Sequence, residues 1–245
     1  MIDSFPVFAL AALAVIFAGV SKAGFGSGAA FASASVLAVV MPPREALGVM
    51  LPLLMLVDVA TLRPYWKKWS WPEARVLVLG GIPGVAIGVW LFSVANDDIL
   101  RLLIGVVSVG FVIWKLWPWT AKRGMPVWGG YFAGMVAGFT SFISHAGGPP
   151  AAVFLLSRGL SKTTYQATTV LVFWVINIAK FVPYAFLGAF TAQTLWADLI
   201  LAPFALLGAY LGVRAHHAVP ERAFFAVTYV LLTLTGLKLI GDALT

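Results

Sequence analysis

Cysteine is absent from the sequence, and charged residues are scarce. Without thiols, the chain has no disulfide framework, no thiol nucleophile and no thiolate metal site. Charged residues make up 10% of the 245 residues, whereas soluble domains average about a quarter. Hydrophobic residues make up 61%, and the mean hydropathy is +0.97. This composition excludes a water-soluble globule and predicts a chain that lies mostly within a lipid bilayer.

Apolar segments of helical length recur along the whole chain and are separated only by short polar stretches. About 20 apolar residues in an α-helix cross a hydrocarbon core of about 30 Å. The ten segments are 5–21, 25–41, 46–62, 74–93, 99–117, 126–143, 147–157, 164–188, 194–213 and 222–241. We predict an all-α polytopic membrane protein with a single transport domain over residues 1–245.

Two of these segments, 25–41 and 147–157, are short, and each follows a glycine-rich break instead of a polar loop. Backbone leaves the helical conformation at membrane depth only where protein or water satisfies its polar groups. Each break therefore predicts a broken or re-entrant helical hairpin at the start of a group of five segments. For residues 5–41, two short membrane spans are the alternative.

Basic residues collect in alternate loops. Four loops hold eleven of the 16 basic residues: 63–75, 115–123, 158–162 and 214–222. Lysine and arginine in short loops favour the cytoplasmic side. If residues 126–157 return to the side from which they enter, all four loops lie inside and both termini lie on the non-cytoplasmic side. Topology thus accounts for the net charge of +7, and no basic run indicates a nucleic-acid partner.

The two groups of five segments resemble each other. Asp58 recurs 119 positions later as Asn177, the motif P-x4-G-x-(W/Y)-L occurs once in each group, and the offset rises smoothly to 120 and 123 for later pairs. Because five is an odd number, two similar halves lie upside down relative to each other. We predict inverted-topology repeats over about 5–117 and 126–241, the pattern of secondary transporters with substrate sites near the midplane.

Both breaks combine small residues with a group that can carry positive charge. Glycine lets the backbone unwind and approach a ligand, and a restarting half-helix aims free N–H groups and its positive dipole end into the break. We therefore predict two facing tips that bind one small anionic substrate. The substrate-binding residues assigned to the breaks are Ser21, Lys22, Gly24, Gly26, Ser27, Gly28, Ser144, His145, Gly147 and Gly148. The alternative is that the small residues merely permit close helix packing.

Ionisable residues at membrane depth are costly and usually functional. Lys22 and Lys180 are each expected to contact the anion, with Asn177 one helical turn before Lys180. Lys22 alternatively snorkels to an interface, and Lys180 alternatively pairs with Asp58. Asp58 either neutralises a lysine or carries a coupling proton. His145 either titrates near neutral pH or acts as a neutral hydrogen-bonding group.

Two longer runs carry a family resemblance. The first is GFGSGAAFASASVLAVVMPPREALGVML, from Gly24 to Leu51, and the second is AGFTSFISHAGGPPAAVFLLSRGLSKTTYQAT, from Ala137 to Thr168. They resemble the two copies of a signature in the TauE/SafE sulfite exporter family, also called the 4-toluenesulfonate uptake permeases. The resemblance implies a helical transporter that moves sulfite, organosulfonates or related small anions across the inner membrane, often outward.

A secondary transporter with alternating access is therefore the leading hypothesis. An uncoupled anion channel would use the same residues and differ only in its kinetics. An intramembrane hydrolase with Ser27 as nucleophile and His145 as base is a third hypothesis, but a rhomboid-like G-x-S-G sequence would need glycine at Phe25. We expect no enzyme, no cofactor and no resident metal. The partners are the anion, the lipid bilayer and, in one version, a second copy of the chain as a homodimer.

Overall fold

The computed structural model describes residues 4–25, 29–116, 124–218 and 221–245. Within these ranges the secondary structure is helical, and they contain no β-strand. The helices are α1 (Phe5–Gly24), α2 (Phe31–Val40), α3 (Pro43–Leu62), α4 (Trp71–Val94), α5 (Asp97–Leu116), α6 (Val127–Ser144), α7 (Gly148–Ser157), α8 (Lys162–Phe186), α9 (Ala192–Ala218) and α10 (Glu221–Leu244). Each of the ten predicted segments corresponds to one helix, although α2 begins at Phe31 and not at residue 25.

Seven of the helices are long and apolar enough to cross a membrane: α1, α3, α4, α5, α8, α9 and α10. Helices α2 and α7 have ten residues each. Ten residues rise only about 15 Å, which is half the thickness of a typical hydrocarbon core. The chain is therefore a multi-pass helical membrane protein in which two short helices do not span the bilayer alone.

Each short helix follows an interruption of the helical backbone. Between α6 and α7, His145 adopts the left-handed conformation with φ 56°, and its N–H donates to the carbonyl oxygen of Ser141 at 3.0 Å. Helix α7 then starts with Pro149 in its first turn, where no intrahelical hydrogen bond is lost. Helix α1 also ends several residues before α2 begins. Both interruptions expected from the glycine-rich breaks are present.

Helices α4 and α6 pack through glycine. An ideal Cβ added at Gly84 would overlap the carbonyl oxygen of Met135, and one added at Gly134 would lie 2.5 Å from the carbonyl oxygen of Leu77. Small residues permit this close approach of backbones, which membrane helices use for association. Because the residue numbers rise together along the contact, the two helices run parallel.

Helices α1 and α9 form a second contact of the same kind. An ideal Cβ at Gly24 would lie 2.5 Å from the carbonyl oxygen of Gly212, and one at Gly19 would lie 2.8 Å from that of Ala205. These helices also run parallel. Helix α5 packs along α10. The close contacts thus join α1 and α5 of the first half to α9 and α10 of the second, and α4 to α6.

Helices α3 and α8 lie at the centre of the bundle. Helix α3 contacts α1, α2, α5, α8 and α9, and α8 contacts α1, α3, α4, α6 and α7. Helix α3 buries Asp58, and α8 buries Asn177 and Lys180. The packing therefore brings interior polar residues from both halves of the chain close together.

Candidate anion-binding site

A buried ion pair links α1 to α3. Lys22 Nζ lies 2.9 Å from Asp58 Oδ1, and the two side chains are 3% and 0% exposed. Asn177 on α8 donates its Nδ2 hydrogen to Asp58 Oδ2 at 2.8 Å. Both carboxylate oxygens thus have a close partner, which a buried charge requires. Lys22 is held in the protein interior and does not snorkel to an interface.

Lys180 forms a second centre one helical turn beyond Asn177. Its Nζ donates to the Ser141 carbonyl oxygen at 2.9 Å and to Ser141 Oγ at 3.0 Å, and it lies 2.9 Å from His145 Nδ1. His145 Nε2 lies 3.1 Å from the carbonyl oxygen of Leu47. Because a carbonyl can only accept, Nε2 carries the ring proton, and Nδ1 is left as an acceptor for Lys180. The imidazole is neutral in this arrangement.

The two centres differ in charge balance. Lys22 is neutralised by Asp58, whereas the hydrogen-bond partners described for Lys180 are uncharged. The ion pair thus forms with Lys22, and the alternative pairing of Asp58 with Lys180 is not seen. A buried cation that lacks a counter-ion is unfavourable. The centre of the protein thus holds two buried lysines and one buried carboxylate.

Two tyrosines fix the ends of the helices that precede the breaks. Tyr65 donates its phenol hydrogen to the carbonyl oxygen of Ala23 at 2.9 Å, and Tyr184 donates to the carbonyl oxygen of Phe142. Each bond spans 42 residues, so the same tether holds α1 in the first half and α6 in the second. Burial raises the pKa of Tyr65 to about 12, and its hydroxyl therefore remains a donor at neutral pH.

The serines assigned to the breaks have different surroundings. Ser144 Oγ donates to the carbonyl oxygen of Thr140 at 2.9 Å. The Ser21 hydroxyl is fully buried and has no hydrogen-bond partner among the described residues. Buried hydroxyls are nearly always hydrogen-bonded. The unpartnered Ser21 hydroxyl is therefore a donor available to a bound ligand. Three other assigned residues, Gly26, Ser27 and Gly28, lie outside the described part of the chain.

The remaining glycines of the breaks make packing contacts. The backbone of Gly24 lies against α9, as described above. An ideal Cβ at Gly147 would lie 2.5 Å from a ring carbon of Phe173 and 2.7 Å from the carbonyl oxygen of Ala137. Gly148 is buried as the first residue of α7. For Gly24 and Gly147, close packing is therefore a sufficient reason for the absence of a side chain.

Two residues that contact the buried lysines were not assigned to the site from the sequence. Ser141 contacts Lys180 and stands 119 positions after Lys22, so the repeat offset is the signal that would have found it. Gln166 donates to the carbonyl oxygen of Lys22 at 2.8 Å and satisfies a group that the end of α1 leaves open. Its counterpart 119 positions earlier is Leu47. Comparing the two halves of the sequence would therefore not have pointed to Gln166, because Leu47 is apolar and contributes only its backbone carbonyl, to His145.

A family model matches most of the chain. It is described as Sulfite exporter TauE/SafE, and the match covers residues 11–239. This range contains both helix breaks and both lysine centres. The comparisons with curated proteins and with solved structures each give no match. Across the described residues, no group of three or more His, Asp or Glu side chains is placed to hold a metal ion.

Proposed function

Because this chain belongs to the TauE/SafE sulfite exporter family, we propose that it is a secondary transporter that exports sulfite, organosulfonates or related small anions across the inner membrane. The observation that carries the proposal is the pair of buried lysines served by one carboxylate. The family is one of transporters, which favours transport over the hydrolase considered from Ser27 and His145.

The substrate anion binds beside Lys180 and also contacts Lys22. In its protonated form Lys180 has only uncharged partners, and the anion would replace one of them, because a charge-assisted hydrogen bond to an anionic oxygen is about twice as strong as a neutral one. The Ser21 hydroxyl, buried next to Lys22 in the sequence and unpartnered among the described residues, supplies a further donor. With Asp58 ionised and His145 neutral, a single negative charge would balance the two lysines. The arrangement therefore suits a monoanion.

Asp58 acts as a tethered counter-ion that competes with the substrate for Lys22. In the described state its carboxylate lies 2.9 Å from Lys22 Nζ, so the charge of this lysine is neutralised without substrate. When an anion enters, Lys22 turns from Asp58 to the substrate, while Asn177 still donates to the carboxylate. Exchange of one anion for another keeps Lys22 paired at each stage, which limits the cost of its burial. Asp58 thus lowers the affinity for substrate and eases its release.

We also propose that the two halves are inverted repeats that rock against each other to alternate access. The glycine contacts support this symmetry, because exchanging the halves turns the α1 and α9 pair into the α6 and α4 pair. The tyrosine bonds, each spanning 42 residues, support it too. The short helices α2 and α7 would then complete one re-entrant hairpin in each half.

The parallel packing also supports the topology drawn from the basic loops. In that topology α1 and α9 both begin outside, and α4 and α6 both begin inside. The two helices of each pair must then run parallel, and the glycine contacts show that they do. Both termini would lie outside, and the four basic loops would face the cytoplasm.

Flux into proteoliposomes tests the transport proposal. Wild-type protein should exchange sulfite saturably, whereas Lys180→Met should lose about tenfold or more in affinity, as expected for a lost charge-assisted hydrogen bond. Lys238→Gln is the matched control, because Lys238 is exposed and pairs with Asp242 at 2.9 Å. Absence of flux for sulfite, methanesulfonate and acetate would overturn transport. Non-saturating ohmic current would assign a channel, and unchanged affinity in Lys180→Met would remove Lys180 from the site.

A further inference from the structure

A cavity of about 400 Å³ lies where α1, α5, α7, α8 and α10 approach one another. Its wall carries two cations: Lys115 in the last turn of α5 and Lys162 at the first residue of α8. Trp114 and Tyr165 lie beside them. None of the described residues that line this cavity is acidic. The cavity therefore has two lysines at its rim, on the membrane face that the basic loops assign to the cytoplasm.

Two apolar cavities continue from this rim into the membrane region. One, of about 280 Å³, shares Trp114 and Pro149 with the first cavity and runs between α5 and α7. The other, of about 340 Å³, also touches Trp114 and follows α6. Its wall includes Trp128 and Phe132, which are 73% and 59% exposed. Large exposed apolar side chains on a membrane helix face lipid, so this groove is open to the bilayer.

We propose that the connected groove binds one anionic phospholipid, with its phosphate between Lys115 and Lys162 and its acyl chains along α5, α6 and α7. Basic pockets between membrane helices at the cytoplasmic side bind anionic lipid head groups. Aromatic side chains such as Trp114 favour the same interfacial depth. A small inorganic anion would contact the two lysines but would leave the apolar walls uncovered.

The bound lipid would lie against the second helix break. The apolar cavity between α5 and α7 is also lined by Thr140, Ala146 and Pro149, which flank the interruption before α7. The lipid is therefore placed to stabilise one position of α7, and its binding does not depend on which anion the protein transports. This site is separate from Lys22 and Lys180, which do not line any of the three cavities.

Native mass spectrometry of the full chain tests the proposal. Protein released from detergent with equal amounts of phosphatidylglycerol and phosphatidylcholine should retain one phosphatidylglycerol about tenfold more often. The double variant Lys115→Gln with Lys162→Gln should lose this preference. The matched control, Lys67→Gln with Lys68→Gln, removes two exposed lysines of the loop between α3 and α4 and should keep it. Equal preference in both double variants would overturn the proposal.

A second variant separates the acyl chain from the head group. Gly110 lines the apolar cavity, and an added Cβ there meets nothing within 4 Å. Gly110→Leu should therefore fold normally and reduce phosphatidylglycerol retention by filling the groove. Retention unchanged in Gly110→Leu would contradict the placement of the chains. Glycerol phosphate, which lacks acyl chains, should not compete; full competition would assign the site to a soluble anion and overturn the lipid.

Discussion

Asp58 accepts a hydrogen bond from Asn177 over 2.8 Å, and these two residues lie 119 positions apart in the sequence. In the proposed inverted repeat, one half has a carboxylate where the other has an amide. Lys22 lies beside that carboxylate, whereas Lys180, one turn beyond the amide, has uncharged partners. The proposed anion site depends on this difference between the surroundings of the two lysines.

Replacing Asp58 with asparagine should raise the affinity for anions. Lys22 then loses its internal counter-ion and becomes available to the substrate, and a gain of about 1.4 kcal/mol corresponds to a tenfold lower Kd. Loss of one partner of a buried ion pair typically costs about 3–5 kcal/mol, so the anion-free variant should also melt at a lower temperature. Titration calorimetry with methanesulfonate on purified Asp58→Asn protein measures the first effect.

The control for this variant is Asp98→Asn. Asp98 is exposed and pairs with Arg101 at 2.8 Å, so its replacement removes one negative charge far from the buried lysines and should leave the Kd unchanged. If Asp58→Asn binds methanesulfonate no more tightly than the wild type, the role of Asp58 as a competing counter-ion is wrong.

The sequence was sufficient to predict the helices and both breaks. Long apolar runs define the membrane helices because lipid leaves backbone polar groups no other partner, and the glycine-rich stretches locate the interruptions before α2 and α7. The start of α2 was predicted six residues too early. Glycine and alanine in 25–30 are apolar enough to extend a hydropathy segment beyond the start of α2 at Phe31.

The pairing of the site residues could be predicted only in part. Lys22, Asp58, Asn177 and Lys180 were recognised as interior polar residues, but the sequence left open which lysine pairs with Asp58. That choice depends on how α1, α3 and α8 cross, which no local pattern encodes. The contact between the Leu47 carbonyl oxygen and His145 could not be predicted for another reason. Every residue has a backbone carbonyl, and the side chain does not indicate which group that carbonyl contacts.

An alanine at Gly84 should destabilise the protein. Its Cβ would overlap the backbone of α6 at Met135, and overpacking typically costs about 1–3 kcal/mol. Gly110→Ala is the matched control, since it adds the same methyl group to a membrane helix where nothing lies within 4 Å. Thermal unfolding in detergent should show a lower Tm for Gly84→Ala only. Equal melting temperatures for the two variants would show that α4 and α6 do not pack as described.

The chain lacks native cysteine, so single cysteines report the sidedness of each loop without background. Lys68→Cys lies in a basic loop and Thr245→Cys at the C terminus, and both positions are exposed. In intact cells, a membrane-impermeant thiol reagent should label Thr245→Cys and leave Lys68→Cys unlabelled until the membrane is permeabilised. The reverse pattern would show that the topology is inverted. Labelling of both positions from the outside would show that they lie on the same side of the membrane, which contradicts the topology.

The central claim is that a small anion binds between the two helix breaks, next to the buried lysines. Its most direct test is protection of Ser21→Cys and Ser144→Cys from a thiol reagent by methanesulfonate, which does not itself react with thiols. Ser93→Cys, exposed near the end of α4, is the control. The account predicts that methanesulfonate slows labelling at residues 21 and 144 and leaves residue 93 unaffected. If methanesulfonate leaves the labelling rates at residues 21 and 144 unchanged, the account is contradicted.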